Sequence, residues 1–391
     1  MKILFLTYYF EPDLCAGSFR NTSLFKALAP RFKSTDNIDV ITTQPNRYDS
    51  YKVSADKIEK RGDNITINRV HIPNHKSGLF GQIKSFRIFY SEAKRIAKDK
   101  NYDLVYASSS RLFTAFLGAK LAKKNNAKLY LDIRDIFRES ILEIFKNPII
   151  KIGLDYFLRP IENYTFKTAN HINLVSKGFE SYFVKYKQCT YSFFTNGIDT
   201  VFLNKNIETT IEDKKFKTIV YAGNIGEGQG LHIILPDVAK VFPNTLKFIV
   251  YGDGGAKQKL VSAIEEQGVK NIEIRNPINR EFLIEEYQKA DYLFLHLNKY
   301  KAFERVLPSK LFEYGAFNKP IIAGVGGYAA TFLKENITNA IVFRPGDVER
   351  LVKMLKNYNY QKEDRETFKK RFSRKLINEQ MADSILLLGH K

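Results

Sequence analysis

Residues 2–28, KILFLTYYFEPDLCAGSFRNTSLFKAL, decide the fold. The run KILFLTY (2–8) is short and apolar, with β-branched and aromatic members, and reads as a buried strand. A loop carrying Ala16-Gly17-Ser18 follows, and from Phe19 to Leu28 the apolar residues recur at helical spacing. Strand, glycine loop and helix form the opening unit of a doubly wound parallel sheet. Further strand candidates stand at 38–43, 66–72, 103–109, 128–135 and 171–176, most of them separated by helical stretches such as 82–99 and 111–124. This alternation predicts parallel strands with helices on both faces.

The pattern pauses at Thr195-Asn196-Gly197-Ile198-Asp199, and a polar, charged stretch runs on to Lys217. A second series then begins, with strand candidates at 218–224, 246–254, 272–276, 292–297, 320–324 and 340–343. The fold expected is therefore α/β with two Rossmann-like, doubly wound domains facing across a cleft. The first spans 1–198 and the second 199–371, joined around 196–216. The end of the chain, from about Arg365 to Gly389, reads as helical and rich in Lys and Arg, and the C-terminal helix over about 372–391 is expected to pack back on the first domain.

At 391 residues and 44% hydrophobic content the chain exceeds one ordinary core and is not disordered. Two cysteines, Cys15 and Cys189, exclude a disulfide framework and suit a reducing cytoplasm. No apolar run approaches the ~18 residues that span a bilayer. The opening apolar stretch meets Glu11-Pro12-Asp13 too soon for a signal peptide. Sixty-two Lys and Arg against 42 Asp and Glu give a formal charge of +20, with 32 basic and 19 acidic residues in 1–200. A basic surface attracts nucleic acid or anionic lipid, and charge alone does not choose between them. A general coating of lysine is the plainer alternative.

Open parallel sheets bind ligands in the loops beyond the carboxyl ends of their strands. In the second lobe, Gly223-Asn224-Ile225-Gly226-Glu227-Gly228-Gln229-Gly230 places four glycines in eight residues after a strand. Read as opening a helix, it is a phosphate cradle of backbone N–H groups. It lacks the Lys-Ser/Thr ending of a nucleoside-triphosphatase loop. Gly252-Asp253-Gly254-Gly255 is a weaker version, and turn chemistry explains its glycines equally well. The densest cluster is Arg305-Val306-Leu307-Pro308-Ser309-Lys310-Leu311-Phe312-Glu313-Tyr314. Pro308 and Ser309 suit a helix start, where a lysine opposes the helix dipole unless an anion is present. Lys310 is thus a candidate diphosphate ligand, and Glu313 a candidate acceptor for a pair of sugar hydroxyls. A capping box with an exposed ion pair is the alternative. In the first lobe, Asp132-Ile133-Arg134-Asp135 ends a strand expected to be buried, where charge is costly unless paired or functional. An Arg–Asp pair that merely holds the loop is the other reading. The six histidines are scattered and no Asp-x-Asp pair exists to hold a diphosphate through a metal, so no metal or cofactor is expected.

With these pieces in place the chain resembles glycosyltransferase family 4, a retaining, metal-independent group of GT-B fold. It looks nearest the bacterial surface-polysaccharide branch of O-antigen and capsule synthesis that resembles L-fucosamine transferases. The resemblance rests on YYFEPDLCAGSFR near the start, LDIRDIFRES (131–140), FTNGIDTVFL (194–203), YAGNIGEGQGL (221–231), YGDG (251–254) and LPSKLFEYGAFNKPI (307–321). It implies that Glu313 holds the nucleotide ribose, as the second glutamate of an E-x7-E motif. Gly17 and Ser18 would lie beside the donor diphosphate, and the segment from Asn276 to Ile278 would read the base. Eight positions before Glu313 stands Arg305, with Glu304 beside it, so the first glutamate is missing or shifted. Asn224 and Gln229 take the places of the phosphate loop's usual Arg and Lys. Gly226, Gly252, Arg305, Ser309 and Lys310 complete the expected donor set, and Arg134-Asp135 replaces a histidine of the first lobe. Arg134, Asp135 and Lys310 are the catalytic candidates.

The expected reaction moves a sugar, an N-acetylated hexose or deoxyhexose, from a UDP-sugar to a hydroxyl of a glycan. The expected acceptor is an undecaprenyl-diphosphate-linked glycan or another glycan at the inner face of the cytoplasmic membrane. The enzyme would be a cytoplasmic, peripheral membrane protein. Residues 78–100 place Phe80, Ile83, Phe86, Phe89 and Tyr90 among basic residues that include Lys84, Arg87, Lys94 and Arg95, as an interfacial element would. A core-facing helix with a solvated basic side is the alternative. A GT-B nucleotide-sugar 2-epimerase shares the fold, but its acid/base residues find no place here. A nucleic-acid-binding protein would account for the charge but leave the motifs unexplained, and no recognition module is visible.

Overall fold

A computed structural model gives the fold and describes residues 1–46, 53–73, 79–109, 111–145, 147–203 and 216–390. The chain divides into two compact units, Met1–Asn196 with Arg374–Lys391, and Gly197–Ser373.

The first unit runs β1 (Lys2–Leu6), α1 (Ala16–Leu28), β2 (Asn37–Thr43), β3 (Ile58–Arg61), β4 (Ile65–Val70), α2 (Leu79–Ile96), β5 (Leu104–Ser109), α3 (Leu112–Asn125), β6 (Lys128–Ile133), α4 (Phe137–Ile144), α5 (Pro148–Thr168), β7 (His171–Leu174), α6 (Glu180–Phe183) and β8 (Thr190–Ser192). The second holds α7 (Thr200–Leu203), β9 (Lys217–Asn224), α8 (Leu235–Val241), β10 (Leu246–Asp253), α9 (Lys257–Glu266), β11 (Ile272–Arg275), α10 (Arg280–Lys289), β12 (Tyr292–His296), α11 (Lys310–Gly315), β13 (Ile321–Gly324), α12 (Gly327–Asn336), β14 (Ile341–Phe343), α13 (Val348–Lys356) and α14 (Glu366–Arg371). Helix α15 (Arg374–Gly389) then belongs to the first unit.

The first sheet has the order β3-β4-β2-β1-β5-β6-β7-β8 and is parallel except for β3, which pairs antiparallel with β4. The second, β11-β10-β9-β12-β13-β14, is parallel throughout. Strands β3 and β8 escape a search for apolar runs. IEKR is charged at three of its four positions and TYS is three residues long, and both sit at sheet edges, where only one side of the strand is paired. The sequence stretch expected to join the lobes includes 204–215, which lie outside the described residues.

Each sheet is doubly wound, so each has a point where the strand order reverses. In the first it lies between β1 and β5, and in the second between β9 and β12. Loops diverge there and leave a crevice at the strands' carboxyl ends. The β9 loop carries Gly223, and the segment after β12 leads to Lys310. The β1 loop leads to Gly17, and β6, next beyond β5, ends at Arg134. The cores beneath are apolar: Ile3, Phe5, Leu24, Val40, Leu104 and Tyr106 pack with Met381 and Ile385 of α15, while Val220, Leu293, Leu311 and Phe312 belong to one of two clusters in the second unit.

Candidate functional site

In the second unit, β9 ends in Gly223, whose φ of +146° lies in a region that L side chains rarely adopt. A β-carbon there would collide with Cε and Nζ of Lys310. The lysine reaches back from the first turn of α11, and its ammonium stands 5.6 Å from the centroid of the Tyr221 ring. It makes no hydrogen bond or ion pair among the described residues. Burial pulls its pKa below the ordinary value, and Glu313, one turn along the same helix, partly offsets that. An incompletely compensated cation at the switch point of a parallel sheet is a site shaped for an anion.

Ser309 stands at the start of α11 without a side-chain cap, so the capping-box alternative does not form. Arg305 is half-buried just before it. Asn276 is exposed and accepts a long bond from Lys257 (3.5 Å), and Ile278 is half-buried against the core.

The glycine loop differs from the expected cradle. Its chain enters a short 3-10 turn, Leu231–Ile233, and α8 begins only at Leu235, so no α-helix opens at the loop. The amides of Ile225, Gly226, Gln229 and Gly230 are also committed. Asn224 donates to Oε1 of Gln229 (2.8 Å), and the same oxygen accepts the Gly226 N–H (3.3 Å). The Gln229 and Gly230 N–H groups bond the Gly226 carbonyl, and Ile225 bonds Asp253. Asn224 and Gln229 thus close the loop on itself instead of facing outward, and a β-carbon on Gly226 would strike Asn224. Gly252 lies inside β10, where a β-carbon would collide with the Gly223 carbonyl, so its role is close strand packing.

His296, which sequence reasoning passed over, holds this loop in place. It is fully buried, and its Nε2 accepts the Gly346 N–H (2.9 Å). Nδ1 must then carry the proton and donate it to the Gln229 carbonyl (2.6 Å). Burial pushes the imidazole pKa down to about 4, so the ring stays neutral. The signal was a lone polar residue closing the apolar run YLFLH.

In the first unit the expected Arg–Asp pair exists, but with another partner. Asp132 binds Arg20 through Nε (2.8 Å) and Nη2 (2.9 Å), not Arg134. Asn173 (2.7 Å) and Tyr106 (3.2 Å) donate to the same carboxylate. Burial alone would raise the carboxyl's pKa, but the Arg20 guanidinium outweighs it and holds it below its ordinary value. Arg20 also donates to the carbonyls of Phe194 and Thr195, tying α1 and β6 to the segment that follows β8. Arg20 sits one turn before Leu24 on the buried stripe of α1, and that spacing could have revealed it.

With Asp132 committed, Arg134 is left over. A β-carbon on Gly17 would stand 2.9 Å from its Nη1, so the glycine makes room for the guanidinium. Nε and Nη1 are buried without a hydrogen-bond partner. Burial, and then the like charge of Arg20, lower the pKa of Arg134. Gly17 and Ser18 lie in the buried first turn of α1, where the Cys15 sulfur accepts the Ser18 N–H (3.4 Å). Burial pushes the Asp135 carboxyl above the usual carboxylate range, although the Ser140 hydroxyl donates to it (3.0 Å). Arg134 and Gly17 are therefore brought together, with a chemically unusual carboxyl on the next residue.

The α2 residues separate by face. Lys84, Arg87, Lys94 and Arg95 are exposed, and Arg95 pairs with Glu92 (2.8 Å). Phe86 and Phe89 are buried, Phe86 against Phe113 and Phe89 against Tyr8, and Tyr90 stacks on Phe116. Of the apolar residues assigned to an interfacial role, Ile83 alone among those described stays exposed, at 49%. The side chain of Phe80 lies outside the described residues. The helix packs Phe86 and Phe89 into the core and turns a basic side to solvent, so these two rings are not available to a membrane.

Residues 204–374 match the family model "Glycosyl transferases group 1". WcaI of Escherichia coli (strain K12), by description a colanic acid biosynthesis glycosyl transferase, is 33% identical over 95 residues. That match spans 24% of this chain and 23% of WcaI, so the chain aligns with about a quarter of the relative's length. Among solved structures, Anabaena Alr3699/HepE in complex with UDP and glucose superposes with a TM-score of 0.66 at 16% identity, covering 98% of this chain and 99% of that one. Sucrose-phosphate synthase from Thermosynechococcus elongatus gives 0.66 at 13% identity, over 100% and 96%. WaaG, a glycosyltransferase involved in lipopolysaccharide biosynthesis, gives 0.64 at 13%, over 100% and 95%. The fold is GT-B.

Proposed function

We propose that the chain is a retaining glycosyltransferase that moves a sugar from a UDP-sugar to a lipid-linked or oligosaccharide acceptor in cell-surface polysaccharide synthesis. One observation carries this reading: the unpartnered Lys310 ammonium lying against Gly223, beside Glu313, within a domain that matches group 1 glycosyl transferases. The HepE complexes, whose titles name UDP, glucose and UDP-glucose, support a UDP-sugar as donor. Relatives described in colanic acid and lipopolysaccharide synthesis support the surface-polysaccharide setting. The sugar in this reading is an N-acetylated hexose or deoxyhexose.

Breaking the glycosidic bond puts negative charge on the departing diphosphate. Lys310 meets that charge, and because its ammonium is already desolvated the interaction strengthens as the charge grows. Glu313 accepts from the ribose hydroxyls and orients the nucleotide. Arg134 supplies two unsatisfied N–H donors for a phosphoryl or sugar oxygen. Asp135 takes a proton more readily than an ordinary carboxyl, as a group receiving the acceptor hydroxyl's proton must. Attack from the face the diphosphate leaves gives retention. No metal is required in this scheme. No helix among the described residues is long and apolar enough to cross a membrane. The reading places the enzyme in the cytoplasm, against the inner face of the membrane, where a lipid-linked acceptor would be found.

The test is transfer from radiolabelled UDP-sugars to a lipid-linked or short oligosaccharide acceptor, with and without chelator. Transfer that survives chelation, with the anomeric configuration of the donor kept in the product, is expected. Inverted product, absolute dependence on magnesium or manganese, or epimerised UDP-sugar in place of transfer overturns it.

A further inference from the structure

Helix α5 is built inside out. A surface helix ordinarily turns its charged face to water. Here Ile149 (78% exposed), Ile152 (71%), Tyr156 (85%) and Phe157 (58%) project outward, with Ile150 at 45%. At 100° per residue these positions, with Gly153 among them, fall within the outer half of the helix over more than two turns. The inner side holds Leu158, which is 3% exposed, while the half-buried Asp155 is committed to Arg138 and Arg159. Gly153 borders open space, since a β-carbon there would meet nothing within 4 Å. A contiguous apolar ridge of this kind on a water-facing helix marks a docking surface.

The charge around the ridge identifies what it docks on. Helices α2, α3 and α5 pack in succession through Phe86 on Phe113, Tyr90 on Phe116 and Phe116 on Tyr164. Besides the α2 cations, this layer exposes Lys120, Lys123 and Lys124 on α3 and Arg159 on α5. Its acids are largely neutralised: Glu92 pairs with Arg95, and Glu162 is buried on Arg138. Apolar residues that enter the acyl boundary, flanked by cations that meet phosphate headgroups, are the two components of interfacial binding.

We propose that the N-terminal unit docks on an anionic lipid surface through the outer face of α5, with the exposed lysines of α3 and the basic side of α2 at the headgroups. This moves the apolar part of the membrane contact from α2, whose Phe86 and Phe89 are inside the core, to α5. It deepens the reading of a lipid-linked acceptor, but lipid binding requires no catalysis and is measured without it.

The experiment is co-sedimentation of the full chain with vesicles of phosphatidylcholine containing about a third phosphatidylglycerol, against phosphatidylcholine alone. The decisive variant is Gly153→Asp, which sets a carboxylate amid the ridge, touches no neighbour and removes a helical glycine. Binding to the anionic vesicles that weakens with salt, and falls at least tenfold in Gly153→Asp at unchanged melting temperature, is expected. Because the chain has no tryptophan, Tyr156→Trp adds a single reporter. Its emission should shift to the blue with anionic vesicles. Equal binding by parent and Gly153→Asp, no vesicle binding by the parent, or an unshifted reporter overturns the proposal. So does a parent that is dimeric in light scattering and becomes monomeric in Gly153→Asp, which would make the ridge an interface between copies. If transfer to a water-soluble acceptor fails while vesicle binding holds, the enzymatic reading falls and the docking surface stands.

Discussion

Lys310 lies across Gly223 so closely that no β-carbon fits between them. The contact joins the carboxyl end of β9 to the first turn of α11, and it depends on a glycine with φ of +146°. The two residues are one device, a backbone without a side chain and a cation laid over it.

Replacing Lys310 with Ala should lower kcat by on the order of 10²-fold while donor affinity changes less, because the charge it meets grows in the transition state. Glu313→Ala should do the reverse and act mainly on donor KM. Gly223→Ala should resemble Lys310→Ala, since the new methyl displaces the ammonium. Adding it to Lys310→Ala should therefore cost little more in turnover. Steady-state kinetics on the parent, Lys310→Ala, Gly223→Ala and the double variant form a double-mutant cycle, and additive losses would show that the two residues act separately.

Arg134 should trade stability for function. Its buried Nε and Nη1 have no partners, and each such group costs on the order of 1–3 kcal/mol. Arg134→Met keeps much of the volume and removes the unsatisfied donors. The variant should melt at a higher temperature than the parent and lose transfer activity. A lower melting temperature would mean that the guanidinium is structural.

Removing Asp132 should do the opposite. Its pair with Arg20 is buried, at 0% and 1% exposure of the two side chains, and is fully hydrogen-bonded. Asp132→Ala leaves an uncompensated guanidinium and should destabilise the first unit by about 3–5 kcal/mol. Urea unfolding monitored by circular dichroism measures this.

Stability should fall as the solution is acidified from pH 7 towards 4. The pKa values of His296 and His171 are pushed down to about 4 by burial. Above the unfolded value near 6.5 the folded and unfolded states are both neutral, and nothing is lost. Between 6.5 and 4 the unfolded chain binds protons that the folded chain refuses. At 1.36 kcal/mol per pH unit, each histidine then removes up to roughly 3 kcal/mol. His296→Gln should flatten the pH dependence of the second unit's urea midpoint. An unchanged slope would show that carboxylates carry it.

The strand–loop–helix rhythm was legible because parallel strands buried on both faces are nearly continuous apolar runs, and twelve of the fourteen strands among the described residues stand where those runs fall. Lys310 was legible too, since a lysine at a helix start opposes the dipole. What stayed hidden was pairing at long range. Arg20 and Asp132 are 112 positions apart, so the sequence offered Arg134 as the nearer partner. Glycines in the β9 loop read as anion donors because composition does not reveal that Gln229 turns inward and takes the Gly226 amide. The aromatics of α2 read as interfacial because periodicity shows that a helix has two faces, but not which one its neighbours cover.

Helix α15 carries a consequence for biosynthesis. Met381, Ala382 and Ile385 complete the core that Ile3, Phe5 and Leu24 begin, and Asn378 donates to Ser23 (2.8 Å). The unit that leaves the ribosome first therefore lacks part of its interior until residues 374–389 have been made. The unit formed by 197–373 is contiguous and contains its own core, so it is complete sooner. Of these two units, the one that begins translation later is the first able to finish folding, and meanwhile the nascent β1–α1 face waits with its apolar residues uncovered.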